Sequence, residues 1–198
     1  VKQLRKMTTL RPSDPAPSIA LGDILRSRER HVEAIVAYDQ ALVKVKTPEN
    51  RHWSLFYARG ISLEQSKQWP RAEGDFLKAL ELNAEQPLVL NYLGYSWVDR
   101  GQNLERAQKM IVKAVELRPS DGYIADSLGW VYYKVGKYER AVKELDRAVE
   151  LLPADPIIND HLGDAFWRVG RYREAKFQWQ RVLGLNPKPE LEAQIKNK

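Results

Sequence analysis

Five glycines recur along the chain at a nearly fixed interval. Gly22, Gly60, Gly94, Gly129 and Gly163 are separated by 38, 34, 35 and 34 residues. Five alanines keep step with them: Ala34, Ala72, Ala107, Ala141 and Ala175 are separated by 38, 35, 34 and 34. A period of this length is the signature of a repeat architecture, in which one supersecondary unit stacks on the next.

Each unit reads as two antiparallel helices. Leu128/Tyr132 and Leu162/Phe166 stand at i, i+4 and place an apolar face on segments 126–134 and 159–168. Gly136 and Gly170 follow those segments, where a left-handed terminal residue favours glycine. A second helix is predicted from about Glu139 to Leu151, with Ala141, Leu145 and Ala148 facing its partner. The mid-helix glycines cost about 1 kcal/mol each in helix propensity. They are explained if the missing side chain lets the first helix approach the small alanines of the second. Pro119, Pro153 and Pro187 end the last three units, because proline cannot continue a helix.

The irregularities can be located. Four extra residues fall near Lys46-Thr47-Pro48-Glu49-Asn50, lengthening either a helix or a loop. One more sits in the Gly101-Gln102-Asn103 turn. Leu10-Arg11-Pro12-Ser13-Asp14 repeats Leu117-Arg118-Pro119-Ser120-Asp121. Residues preceding it are therefore expected to be the tail of an earlier unit, with more sequence upstream of Val1. Leu191 and Ile195, at i, i+4, begin another helix at the far end.

This pattern, Leu-Gly at 93–94, 128–129 and 162–163 with its attendant alanines and prolines, resembles the tetratricopeptide repeat. The resemblance implies an all-α fold, a right-handed superhelical solenoid of antiparallel helix pairs. Its units would be 15–52, 53–86, 87–121, 122–155 and 156–189, with 1–14 as the tail of a preceding unit and 190–198 as the start of a capping helix. In this family the first helices line a concave groove that takes a peptide or a helix of a partner. The groove positions then include Tyr57, Asn91, Tyr95, Tyr123, Asp126, Trp130, Tyr133, Asp160, Asp164, Trp167 and Arg168, the candidate partner-binding residues. Family members often carry tyrosine at the position of Tyr133 and Trp167 as packing, so a packing role stands beside recognition there. A lysine–asparagine clamp for a C-terminal carboxylate is not matched, because Asp23, Ile61, Tyr95, Trp130 and Asp164 hold the relevant positions.

Charge sharpens the expectation. Groove positions carry the acids Asp23, Glu64, Asp99, Asp126, Asp160 and Asp164 against the bases Arg26, Lys134 and Arg168, although the 198-residue chain as a whole is +6. The groove is thus acidic and aromatic, suited to a protein partner with basic and apolar side chains. Two alternatives are a nucleic acid on the basic convex face and self-association through open solenoid ends. Acids are interleaved with most basic stretches, as in Lys143-Glu144-Leu145-Asp146-Arg147, which argues against nucleic acid.

Nothing in the residues suggests an enzyme, a small-molecule substrate, a cofactor or a metal. There is no cysteine. The histidines, His31, His52 and His161, are not at metal-ligand spacing. His161 reads as a helix-surface or partly buried residue. Carboxylates are plentiful, and a solenoid is expected to offer no closed pocket in which to perturb them. No apolar run is long enough to span a bilayer. Asn91-Tyr92-Leu93-Gly94-Tyr95 and Asp126-Ser127-Leu128-Gly129-Trp130 resemble the C-terminal repeats of large bacterial proteins of this family. That points to a bacterial source and leaves cytoplasm and periplasm both open.

Overall fold

The computed structural model describes residues 1–198 and is helical throughout, without strands. Its fold class is an all-α solenoid built from antiparallel helix pairs. Two compact units divide at Val89/Leu90. The first contains α1 (Lys2–Leu10), α2 (Ala16–Arg26), α3 (His31–Lys44), α4 (Trp53–Gln65) and α5 (Trp69–Leu82). The second takes in most of α6 (Pro87–Asp99), then α7 (Leu104–Leu117), α8 (Gly122–Lys134), α9 (Tyr138–Leu151), α10 (Pro156–Arg168), α11 (Tyr172–Gly184) and α12 (Pro189–Ile195).

Short polar signals set the helix starts. Asp121 Oδ1 accepts from the backbone N–H groups of Tyr123 (3.1 Å) and Ile124 (3.3 Å), and Asp155 Oδ1 does the same for Ile157 (2.9 Å) and Ile158 (3.1 Å). Asp14 accepts from Ala16 N–H at 2.9 Å. Each satisfies donors that a helix N-terminus otherwise leaves open, and each sits next to the positive end of the helix dipole. The turns within pairs close with one left-handed residue, as at Gly136 (φ 77°) and Gly170 (φ 79°). The turn carrying the extra residue has two, Gly101 (φ 66°) and Asn103 (φ 47°). The insertion near Lys46 enlarges a connection rather than a helix: α3 stops at Lys44, and a 3-10 turn, Asn50–His52, leads into α4. His52 belongs to that turn, its Nδ1 accepting from Glu49 N–H at 2.8 Å.

Pairing buries one stripe of each helix. In the first unit Leu21, Leu25, Ala34, Ala37, Tyr38, Ala41, Leu55 and Ala58 form one cluster. In the second, Leu145, Ala148, Ile158, Leu162, Phe166, Trp179 and Val182 form the centre of another, closed at its end by Ile195 of α12. Full burial of a leucine such as Leu145 contributes about 1.5–3 kcal/mol. The mid-helix glycines face different neighbours from those expected. A Cβ on Gly129 would lie 2.5 Å from Leu145 Cγ, the side chain between Ala141 and Ala148. Gly22, Gly60, Gly94 and Gly163 meet Tyr38, Phe76, Ile111 and Trp179 in the same way. The alanines are buried too, but the glycine makes room for the one large side chain between them.

One arginine shared by two aspartates ties three helices of the first unit together. The Arg59 guanidinium on α4 donates twice to Asp75 on α5, at 2.7 Å each, and once to Asp39 on α3 at 2.6 Å. Asp75 keeps only 7% of its side chain exposed. Burial pushes its carboxyl above the ordinary range, while the Arg59 bonds pull the other way.

Candidate functional site

Helices α8 and α10 are successive first helices of their pairs, placed by the Asp121 and Asp155 caps. On α8, Asp126 lies one turn before Trp130. On α10, Asp160, His161, Asp164 and Trp167 fall within two turns. The structure joins the two helices through a buried polar contact: His161 Nδ1 and Asp126 Oδ1 are 2.8 Å apart. The imidazole also stacks on Trp130, with ring centres 4.0 Å apart and planes 15° apart. Trp130 in turn stacks on Tyr133 at 4.8 Å and 4°. Tyr133 meets Tyr138 of α9 edge-on at 5.5 Å, and Arg168 lies over that ring at 4.3 Å while donating to its hydroxyl. Asp126, His161, Trp130, Tyr133, Tyr138 and Arg168 are therefore one connected row.

The His161 proton is held by charge. Burial opposes the imidazolium, but Asp126, with Asp160 and Asp164 behind it, outweighs burial and raises the pKa above its usual 6.5. A group with a raised folded pKa adds stability that is complete below the unfolded value and is lost as pH climbs through the folded one. The His161 contribution to melting temperature is therefore expected to be complete below about pH 6.5 and to be lost as pH rises above it. His161→Gln should flatten that slope. Thermal melts of both proteins between pH 5.5 and 8.5 check this, and parallel slopes would contradict it.

Beside this row is a second acidic feature. The Lys198 ammonium donates to Asp160 Oδ1 at 2.6 Å and also to Asp164 Oδ1. It lies 5.4 Å from the centre of the Trp179 ring. Tyr133, Asp164, Trp167, Trp179 and Lys198 line a cleft of about 270 Å³ there. Burial pushes the Asp160 carboxyl up; the Lys198 hydrogen bond lowers it and the Asp164 charge raises it again. Trp167 is 42% exposed and touches Tyr172 edge-on at 4.6 Å.

The other candidates are placed differently. Tyr57 belongs to the first unit, where its ring meets Trp53 at 6.2 Å and Phe76 at 6.1 Å. Tyr95, on α6, is half-buried; burial pushes its phenol up to about 12, and the charges of Asp126 and Asp99 add to this. Asn91 is on the same helix, its Oδ1 buried without a hydrogen-bond partner. Tyr123 is 59% exposed at the start of α8. Arg168 turns to Tyr138 rather than to the carboxylates of α10.

Two expectations change. His161 is neither on the helix surface nor partly exposed: it is 8% exposed and paired. Burial does perturb carboxylates here, as Asp75 and Asp160 show, because the space between adjacent helices excludes water without a closed pocket. One signal in the sequence pointed to the pair. Asp126 and Asp160 hold the same position in successive units, and His161 follows the second directly. No group of three or more His, Cys, Asp or Glu side chains is gathered in a way that could hold a metal ion.

Comparison with known proteins bears on the repeat. A family model described as "TPR repeat" matches residues 129–170. A TPR repeat-containing protein of Pseudomonas aeruginosa is 33% identical over 84 residues, which are 42% of this chain and 14% of that protein. The chain thus corresponds to a small part of that relative's length. The crystal structure of YrrB, described as a TPR protein with an unusual peptide-binding site, superposes with a TM-score of 0.69 at 20% identity, over 98% of each chain. A tetratricopeptide repeat protein of Parabacteroides merdae gives 0.79 at 18% identity, covering 98% of this chain and 77% of its own. Pseudomonas aeruginosa pilF gives 0.75 at 18% identity, covering 90% and 79%.

Proposed function

From the premise that this chain is a tetratricopeptide-repeat protein, we propose that it is a non-catalytic interaction scaffold. It holds a segment of a partner protein, extended or helical, against the face shared by α8 and α10. The observation that carries this is the cleft in which Asp164 stands beside the Tyr133, Trp167 and Trp179 rings, next to the stack of Trp130 on Tyr133. Such a face suits lysine or arginine among apolar residues, with charges meeting carboxylates and apolar groups meeting rings. The peptide-binding site named for YrrB is a precedent for the fold; the acids and rings belong to this chain. No helix is long and apolar enough to cross a membrane.

Trp130→Ala and Asp164→Lys are each expected to weaken binding of the natural partner at least tenfold, or about 1.4 kcal/mol. Partner protein would be recovered with the unaltered chain, and its affinity for each variant measured by titration. Wild-type affinity should fall as salt rises, because salt screens the partner's attraction to partly exposed charge such as that of Asp164. Circular dichroism separates lost binding from lost fold. If both variants fold and bind as tightly as the unaltered chain, the face is not the site.

A further inference from the structure

The acidic cleft at the end of α10 already contains a cation, and that cation comes from the chain itself. Asp160 and Asp164 stand one turn apart and direct one oxygen each at a single nitrogen, Lys198 Nζ. Two carboxylates converging on a point fit an ammonium, which rotates three donors about one small charge. A guanidinium is a planar fork better matched to one carboxylate taken side-on. The Trp179 ring lies 5.4 Å from the nitrogen, within cation–π range. Asp160 is buried, and the Asp164 charge beside it disfavours its ionised form, so an empty cleft would hold two repelling acids. A cation between the two carboxylates offsets that repulsion.

The present occupant is not fully enclosed. Lys198 lies beyond the end of α12, past the turn at 196–197, and 25% of its side chain is exposed. Packing of α12 rests on Ile195, which is buried, and on Leu191. The Lys198 side chain can therefore leave while Ile195 stays in the core. The cleft is not filled by it, and Tyr133 and Trp167 line the remaining space.

We propose that this cleft is a pocket for a lysine ammonium, that Lys198 occupies it as an internal competitor, and that a lysine of the bound partner segment enters by displacing Lys198. This rests on the partner-binding reading given above and specifies the residue recognised. An occupant tethered to the same chain is present at high effective concentration, so it lowers the apparent affinity of any lysine arriving from outside. The cleft thereby rejects isolated lysines and admits one delivered with further contacts along α8 and α10.

The test uses a defined probe, Nα-acetyl-lysine N-methylamide, titrated into the full chain while the indole N–H signals of Trp179 and Trp167 are followed by NMR. The norleucine analogue, which lacks the ammonium, is the control. Lys198→Ala and Lys198→Met are both made, since methionine keeps an apolar stem against Trp179. Both variants are expected to bind the lysine probe at least tenfold more tightly than the unaltered chain, and neither should bind the norleucine control saturably. Adding Asp164→Asn to Lys198→Met should reverse the gain. The pocket is rejected if removing Lys198 changes nothing, if norleucine binds equally, or if Asp164→Asn has no effect. Loss of helicity in both single variants would also reject it, making Lys198 part of the fold rather than a displaceable group. Because the probe replaces the partner, this outcome is independent of the partner titration: either can fail while the other succeeds.

Discussion

Arg59→Met is expected to destabilise the first unit more than any other single exchange considered for this chain, by about 3–5 kcal/mol. The cost does not come mainly from losing the attraction. Methionine fills much of the arginine stem's volume, but it leaves Asp75 buried with no cation to accept from. Asp39, more exposed, can turn to water or to Arg71, which already lies 3.5 Å from it. Asp75 is left with only the more distant charge of Arg71, and must draw that side chain in, take up a proton or open the α4–α5 contact. A chemical or thermal melt should show the loss, with melting temperature falling on the order of 10 °C for that transition. Asp75→Asn in the same background should recover part of it, because a neutral amide costs less to bury than a lone carboxylate. A double variant no more stable than Arg59→Met would show that lost packing, not stranded charge, is the cause.

Gly129→Leu should be the most damaging change in the second unit. Even a methyl group there would lie 2.5 Å from Leu145 Cγ, 2.9 Å from its Cδ2 and 3.1 Å from the Leu145 backbone nitrogen. Leu145 is fully buried, so moving it displaces neighbours in a close-packed interior. The backbone contact also sets a limit on what side-chain rearrangement can relieve, so α8 and α9 must separate. Overpacking of this kind costs about 1–3 kcal/mol, or more where the backbone has to shift. Stability in a repeat array is shared between neighbours, so faster hydrogen exchange should spread from α8 and α9 into α7 and α10. A melt matching that of the unaltered chain would disprove the contact. Combining Gly129→Leu with Leu145→Ala should restore stability in part.

The helix pairs were legible because their causes are local. A glycine that must adopt positive φ at 136 or 170 and a proline that stops a helix both act within a few residues. The identity of the group against each mid-helix glycine was harder to read. Ala141, Leu145 and Ala148 lie on one stripe, and choosing among them requires the rotation of one helix against another. The Asp126–His161 contact was hidden for the same reason. Its members are far apart in sequence, and neither marks itself as buried until α8 and α10 are set side by side. Arg59 was missed because an arginine in a mixed-charge helix looks solvated; only its position between α3 and α5 makes it internal. Arg181, which donates to the Pro153 carbonyl at 2.9 Å, illustrates a further class: a long side chain reaching back to the preceding inter-pair turn. Nothing in the apolar pattern reports such contacts.

The glycine contacts also bear on how an array of this kind can grow and recombine. Each first helix offers the same gap, but the group filling it differs from pair to pair: tyrosine, phenylalanine, isoleucine, leucine and tryptophan. Duplicating or exchanging a whole pair carries gap and filler together and leaves the internal fit unchanged. A crossover falling between the two helices of a pair would set a spacing shaped by isoleucine against a tryptophan, or the reverse. The heritable module is therefore the helix pair. A breakpoint in an inter-pair turn is expected to preserve that fit, and one in the left-handed turn inside a pair to break it.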